Sequence, residues 1–146
     1  MEPAKLIDIL NELLACESRS LVTRFLESGA FVSRLSVRDF DVLQAIARRT
    51  EDNARWLAEA ITRLAGTPGR GVADVSTGDL HFLELPCVLP RLTSDRNAMI
   101  QKYTLASQRL ADEPLALPLV QRILQRHGED MESLSKLGAS THGVPG

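Results

Sequence analysis

The sequence predicts an all-α protein: an antiparallel four-helix bundle with one long crossover between its second and third helices. Three observations predict it. Apolar residues recur every three to four positions over four long stretches, the spacing that draws one apolar stripe along a helix. Only six aromatics among 146 residues leave the core to Leu, Ile, Val and Ala, a palette that suits helix packing on helix. The links between stretches run short, long, short, and a long central link carries the chain from one end of a bundle to the other, making the second and third helices parallel.

The first helix is expected over residues 3–33, with Leu6, Ile9, Leu10, Leu13, Leu14, Leu21 and Phe25 facing inward and Gly29 marking its weakening or end. Ser36-Val37-Arg38-Asp39 reads as the cap of the second, which continues through Val42, Leu43, Ile46, Leu57, Ile61 and Leu64 until Gly66-Thr67-Pro68-Gly69 breaks it. From 70 to 90 the period is lost, with Gly71, Gly78, Pro86 and Pro90 as punctuation. This stretch is expected to cross the bundle as an extended strap bearing Leu80, Phe82, Leu83 and Leu85. The third helix is expected from about 92 to 110 through Met99, Ile100, Tyr103 and Ala106, ending at Asp112-Glu113-Pro114. A fourth starts near 115–118, where Pro118 is tolerated in the first turn, and carries Leu119, Ile123, Met131, Leu134 and Leu137. One bundle over 1–137 and a flexible tail over 138–146 is the expected organisation.

The totals narrow the function. A net charge of -2 and a pI near 5.9 give no broad cationic field for a nucleic acid. Cys16 and Cys87 form neither a disulfide framework nor a zinc motif, and are read as reduced thiols. No window approaches the ~20 apolar residues that would span a bilayer, and no leader is apparent, so the expected location is cytoplasmic, with no membrane partner.

The informative positions are inward ones that are polar, because burying an unpartnered polar group costs roughly 1–3 kcal/mol. Glu17 interrupts the first stripe, Thr50 and Asn53 the second, His127 and Asp130 the fourth; on the third, Ser94 and Asp95 are the nearest polar candidates. All sit near mid-helix, where facing helices can hold a metal. Two readings stay open. Glu17, His127 and Asp130 would ligate one divalent ion, iron, manganese or zinc, with Asn53 and Asp95 as neighbours; or His127 would bridge the two acids in a hydrogen-bonded triad without an ion. Arg48, Arg49, Arg55 and Arg63 fall off the stripe and are expected on a solvated face. Trp56 and Tyr103 are expected to pack in the core.

These residues also carry a resemblance. Leu10-Asn11-Glu12-Leu13-Leu14-Ala15-Cys16-Glu17, continuing to Phe25-Leu26, is similar to the first helix of bacterioferritin, with Glu17 at its metal-bridging position. The run from Asn53 through Arg55-Trp56-Leu57 to Pro68 resembles the end of that family's second helix and its Gly-x-Pro turn. The chain therefore resembles the ferritin-like families, bacterioferritin above all, over residues 10–137. The resemblance implies a site needing a Glu from each of the first and third helices and a Glu-x-x-His from each of the second and fourth. Those positions fall here on Glu17, on or beside Ser94, on Thr50 and Asn53, and on His127 and Asp130. Too few anionic oxygens remain to offset the repulsion of two irons, and the family's haem-binding methionine falls near Glu51, so haem is not expected. The resemblance thus implies a degenerate ferritin-like bundle without an intact di-iron ferroxidase centre, acting as a dimeric scaffold or interaction protein. The alternatives are a protein binding one divalent ion, or an iron-binding oxidoreductase. The resemblance further implies a homodimer through helices 1 and 2 and the crossover, with Phe82, Leu83, Leu85, Val88 and Leu89 as contact residues; packing of these five within the chain is the competing expectation.

Overall fold

A computed structural model describes residues 1–28, 36–69 and 85–142. They form five helical segments, α1 (Pro3–Ser18), α2 (Leu21–Ser28), α3 (Val37–Arg63), α4 (Leu85–Arg109) and α5 (Ala116–His142), and among the described residues there is no strand. α1 and α2 together make the first of four bundle helices. α1 packs chiefly on α3 and α4 chiefly on α5. One apolar cluster joins Leu6, Leu10 and Leu13 of α1 to Leu57 and Ile61 near the end of α3, Ala106 on α4 and Val120 and Ile123 near the start of α5. The other joins Val22 and Phe25 of α2 to Leu43 and Ile46 early in α3, Val88 and Leu92 early in α4 and Leu134 late in α5. α3 and α4 thus run in the same direction between the two ends, as a long crossover requires, with α1 and α5 antiparallel to them. No helix among the described residues is long and apolar enough to cross a membrane.

The start of α3 follows its expected cap: Ser36 Oγ accepts the Asp39 N–H at 3.0 Å, satisfying one of the amides a helix start leaves open. Its end departs from the usual chemistry. Ala65 takes the left-handed conformation at φ 61°, a position that favours glycine, while the Gly66 N–H closes the turn on the Ile61 carbonyl at 2.9 Å. The glycine stands one residue later because space demands it there: a Cβ on Gly66 would lie 2.9 Å from Ile7 Cγ2.

Four expectations are corrected. The first helix is not continuous over 3–33 but breaks at Arg19-Ser20; the Leu21 N–H leaves the helical ladder and donates to Asp95 Oδ2 at 3.0 Å, so a carboxylate sits on the positive start of α2. The third helix begins at Leu85, ahead of the expected 92, with Pro90 inside it. Leu85, Val88 and Leu89 are buried there, where they pack within the chain; Phe82 and Leu83, with the rest of the strap, lie outside the described residues. The last helix runs on past Leu137 and Gly138 to His142, into the residues expected as tail: a glycine inside a helix costs only about 1 kcal/mol and does not by itself end one.

Candidate functional site

Between the two apolar clusters lies a layer of buried polar side chains: Glu17, Ser20, Thr50, Asn53, Arg96, His127 and Asp130, each at most 3% exposed. Each helix supplies it from mid-length. Glu17 closes the inner stripe of α1 one turn after Leu13 and Leu14, and Ser20 sits in the break that follows. Thr50 and Asn53 are successive inward positions of α3, and His127 and Asp130 are one turn apart on the inner face of α5.

Glu17, His127 and Asp130 do come together, but not around one point. His127 Nε2 lies 2.6 Å from Glu17 Oε1, whereas Asp130 Oδ2 lies 4.0 Å from the other ring nitrogen, Nδ1. The imidazole therefore stands between the carboxylates. On the Glu17 side, the Tyr103 hydroxyl donates to the same Oε1 at 2.6 Å, and its ring meets the imidazole edge-on at 4.9 Å between centroids. On the Asp130 side stands a residue that the spacing of polar positions did not single out. Arg96, fully buried, puts NH1 2.8 Å from His127 Nδ1 and 3.8 Å from Asp130 Oδ2, and its NH2 donates to Ser20 Oγ at 3.3 Å.

That contact determines the tautomer. A guanidinium can only donate, so Nδ1 accepts, and the ring proton sits on Nε2, from which it is donated to Glu17. The outer oxygen of Asp130 is occupied as well: Arg49 brings both Nε and NH2 to 2.6 Å from Oδ1. Arg49 is thus not on a solvated face; it leans inward from α3 and is about one-third exposed, its side chain at 30%. Both guanidinium groups lie against Asp130, while Glu17 is held by His127 and Tyr103; together two carboxylates and two guanidinium groups bring the formal charge to zero.

Ser94 is exposed, and Asp95 is committed to the start of α2. The inward polar position of α4 is one or two residues further on than expected. The signal was present: Leu92, Arg96, Met99 and Tyr103 follow one another at spacings of four, three and four, which keeps Arg96 on the stripe. Thr50 spends its hydroxyl on the Ile46 carbonyl at 2.9 Å. Asn53 has no hydrogen-bond partner at either amide atom, and Glu17 Oε2 and Asp130 Oδ2 are likewise without one.

Burial acts on the titrating members. It pushes the Asp130 carboxyl above the ordinary range, with Arg96 and Arg49 opposing the shift. The Tyr103 phenol is held well above its ordinary value, by burial first and then by the negative charge and hydrogen bond of Glu17, so it remains a donor. Burial also raises the Cys16 thiol, against Lys102, which disfavours the reactive thiolate. Trp56 is partly buried against the apolar cluster of Leu57 and Ile61, with the Arg122 and Arg126 guanidinium groups 4.1 Å and 4.7 Å from its ring centre.

No protein-family model matches the chain, and no curated protein matches it. Among solved structures, a ferritin-like, diiron-carboxylate protein from Bacillus anthracis superposes with a TM-score of 0.70 over 94% of this chain and 99% of that one, at 20% sequence identity. The fold is ferritin-like. In this ferritin-like bundle, no group of three or more His, Cys, Asp and Glu side chains among the described residues is arranged to hold a metal ion. The donor chemistry agrees with that geometry: one ring nitrogen of His127 carries a proton, the other faces a guanidinium, and one oxygen of each carboxylate is engaged by protein donors.

Proposed function

We propose that this chain is a ferritin-like bundle that works without a di-iron centre, as a scaffold or interaction protein rather than an oxidoreductase. One observation carries the reading: a fully buried Arg96 guanidinium, 2.8 Å from His127, fills the heart of the layer. Two irons held side by side need several anionic oxygens to offset their mutual repulsion. Among the described residues Glu17 and Asp130 are the only carboxylates of the layer, α3 contributes the neutral Thr50 and Asn53, and the charges of Arg49 and Arg96 offset those of the two acids. A di-iron pair does not fit this donor set. The neighbour of similar fold is a diiron-carboxylate protein; the shared fold supports common architecture, and the layer's chemistry argues against common activity.

The scaffold acts as a homodimer in this reading, joined through the first two bundle helices and the crossover, a two-fold arrangement being the commonest assembly of identical chains. A second reading is favoured by the unpartnered Glu17 Oε2, Asp130 Oδ2 and Asn53 Oδ1: one divalent ion drawn to these oxygens. Protein expressed with excess iron, purified, and assayed for bound metal and for oxygen uptake separates the readings. The proposal expects no stoichiometric metal and no uptake. One metal per chain, lost in His127→Ala, would support the second reading, and two irons with oxygen consumption would overturn the proposal. Sedimentation equilibrium tests the assembly, a monomer at micromolar concentration contradicting the dimer.

A further inference from the structure

Arg96 meets His127 and Asp130 in the manner of a bound cation. Its NH1 faces the Nδ1 lone pair at 2.8 Å and Asp130 Oδ2 at 3.8 Å, and those two acceptors are 4.0 Å apart. Behind the ring, Nε2–H is held by Glu17, and Glu17 is held by Tyr103. A carboxylate behind a histidine, with the far nitrogen turned towards positive charge, is the device by which proteins aim an imidazole at a metal. The charge it meets here is a guanidinium.

We infer that Arg96 is the resident cation of a one-cation site formed by His127 Nδ1, Asp130 Oδ2 and Ser20 Oγ, and that this tethered guanidinium keeps divalent metals out. The inference rests on the metal-independent reading of the layer. Two physical facts make the exclusion durable. Arginine cannot vacate the site by losing its proton, and covalent attachment gives it an effective concentration that free ions do not reach in the cell. Its backbone is fixed too, because the adjacent Asp95 is clamped to the Leu21 N–H at the break between α1 and α2.

The test is to remove the tether and offer cations in solution. In Arg96→Ala, millimolar guanidinium chloride, compared with equal sodium chloride, is expected to raise Tm on the order of 5 °C once the site is saturated. Cobalt(II) or zinc is expected to do the same, cobalt adding visible absorption bands that vanish in Arg96→Ala/His127→Ala. Neither cation should shift wild-type Tm. A folded Arg96→Ala that responds to neither cation overturns the inference while leaving wild-type protein free of iron, so its failure is distinct from failure of the proposed function. Should that variant not fold, long-range nitrogen–proton NMR on wild-type His127 still decides. A proton on Nε2 alone supports the site, and a proton on Nδ1 overturns it, because Nδ1 could then not accept from Arg96.

Discussion

At the end of the bundle that holds Leu57 the buried cluster is built almost wholly of Leu, Ile, Val and Ala, whereas one and two turns earlier on α3, at Asn53 and Thr50, hydrocarbon gives way to hydrogen-bonding groups. The same helices build both regions, yet the regions answer to different physics. Apolar clusters gain from removing surface from water, roughly in proportion to area, and tolerate changes of shape better than changes of volume. The layer gains little from being buried, since desolvation of two acids and two guanidinium groups consumes most of their mutual attraction, but it loses heavily when one partner is taken away. Loss of a single partner is therefore the perturbation that separates the two regions.

Asp130→Ala should have the largest effect. It strands Arg96 beside His127 and frees Arg49 to solvent, and breaking a buried pair in this way costs about 3–5 kcal/mol, measurable by urea unfolding. Leu57→Ala, at a position with no exposed surface, should cost about 2–5 kcal/mol by lost transfer energy and cavity formation. The contrast sharpens with volume-conserving changes: Leu57→Met should cost under ~1.5 kcal/mol, while Asp130→Asn, of nearly the same volume, should remain costly because it removes the charge that Arg96 and Arg49 face.

The layer should also leave a signature at alkaline pH. Tyr103 is the chain's one tyrosine, so ultraviolet titration reads it alone. With its folded pKa raised above the unfolded value near 10, its contribution to stability is complete below pH ~10 and is lost as pH rises from there through the folded pKa. The phenolate band should accordingly appear only with unfolding, and Tyr103→Phe should flatten the alkaline fall in stability. A phenolate forming at its ordinary pH in folded protein would contradict the Tyr103–Glu17 bond. The smallest effect expected lies outside both regions: Ala65→Gly relieves the left-handed φ of 61° and should stabilise by about 0.5–1 kcal/mol.

How far these regions could be read from the residues differs for the same reason. The apolar clusters announce themselves, since Leu10, Leu13, Leu57, Ile61 and Ile123 repeat at helical spacing and need no partner of particular identity. Glu17, Asn53, His127 and Asp130 were legible as interruptions of that spacing. Their pairing was not, because hydrogen bonds depend on relative register between helices distant in sequence. Arg96 shows how this happens. An arginine on a stripe looks like a surface residue beside the more familiar Ser94 and Asp95, and only the depth of α4 against α5 makes it the centre of the layer. Arg49 was misplaced likewise, for its long side chain can leave a half-exposed position and reach inward. The break at Arg19-Ser20 was also hidden, because Asp95, which satisfies the freed Leu21 N–H, lies far along the chain.

Which cation occupies the middle of the bundle decides between a metal centre and a layer closed by its own arginine. Crystals of protein produced in iron-rich medium, measured on both sides of the iron absorption edge, test this directly. The expected density shows the Arg96 guanidinium beside His127 Nδ1 with no anomalous peak within the layer. An anomalous iron peak among Glu17, His127 and Asp130, with Arg96 turned away, would contradict it.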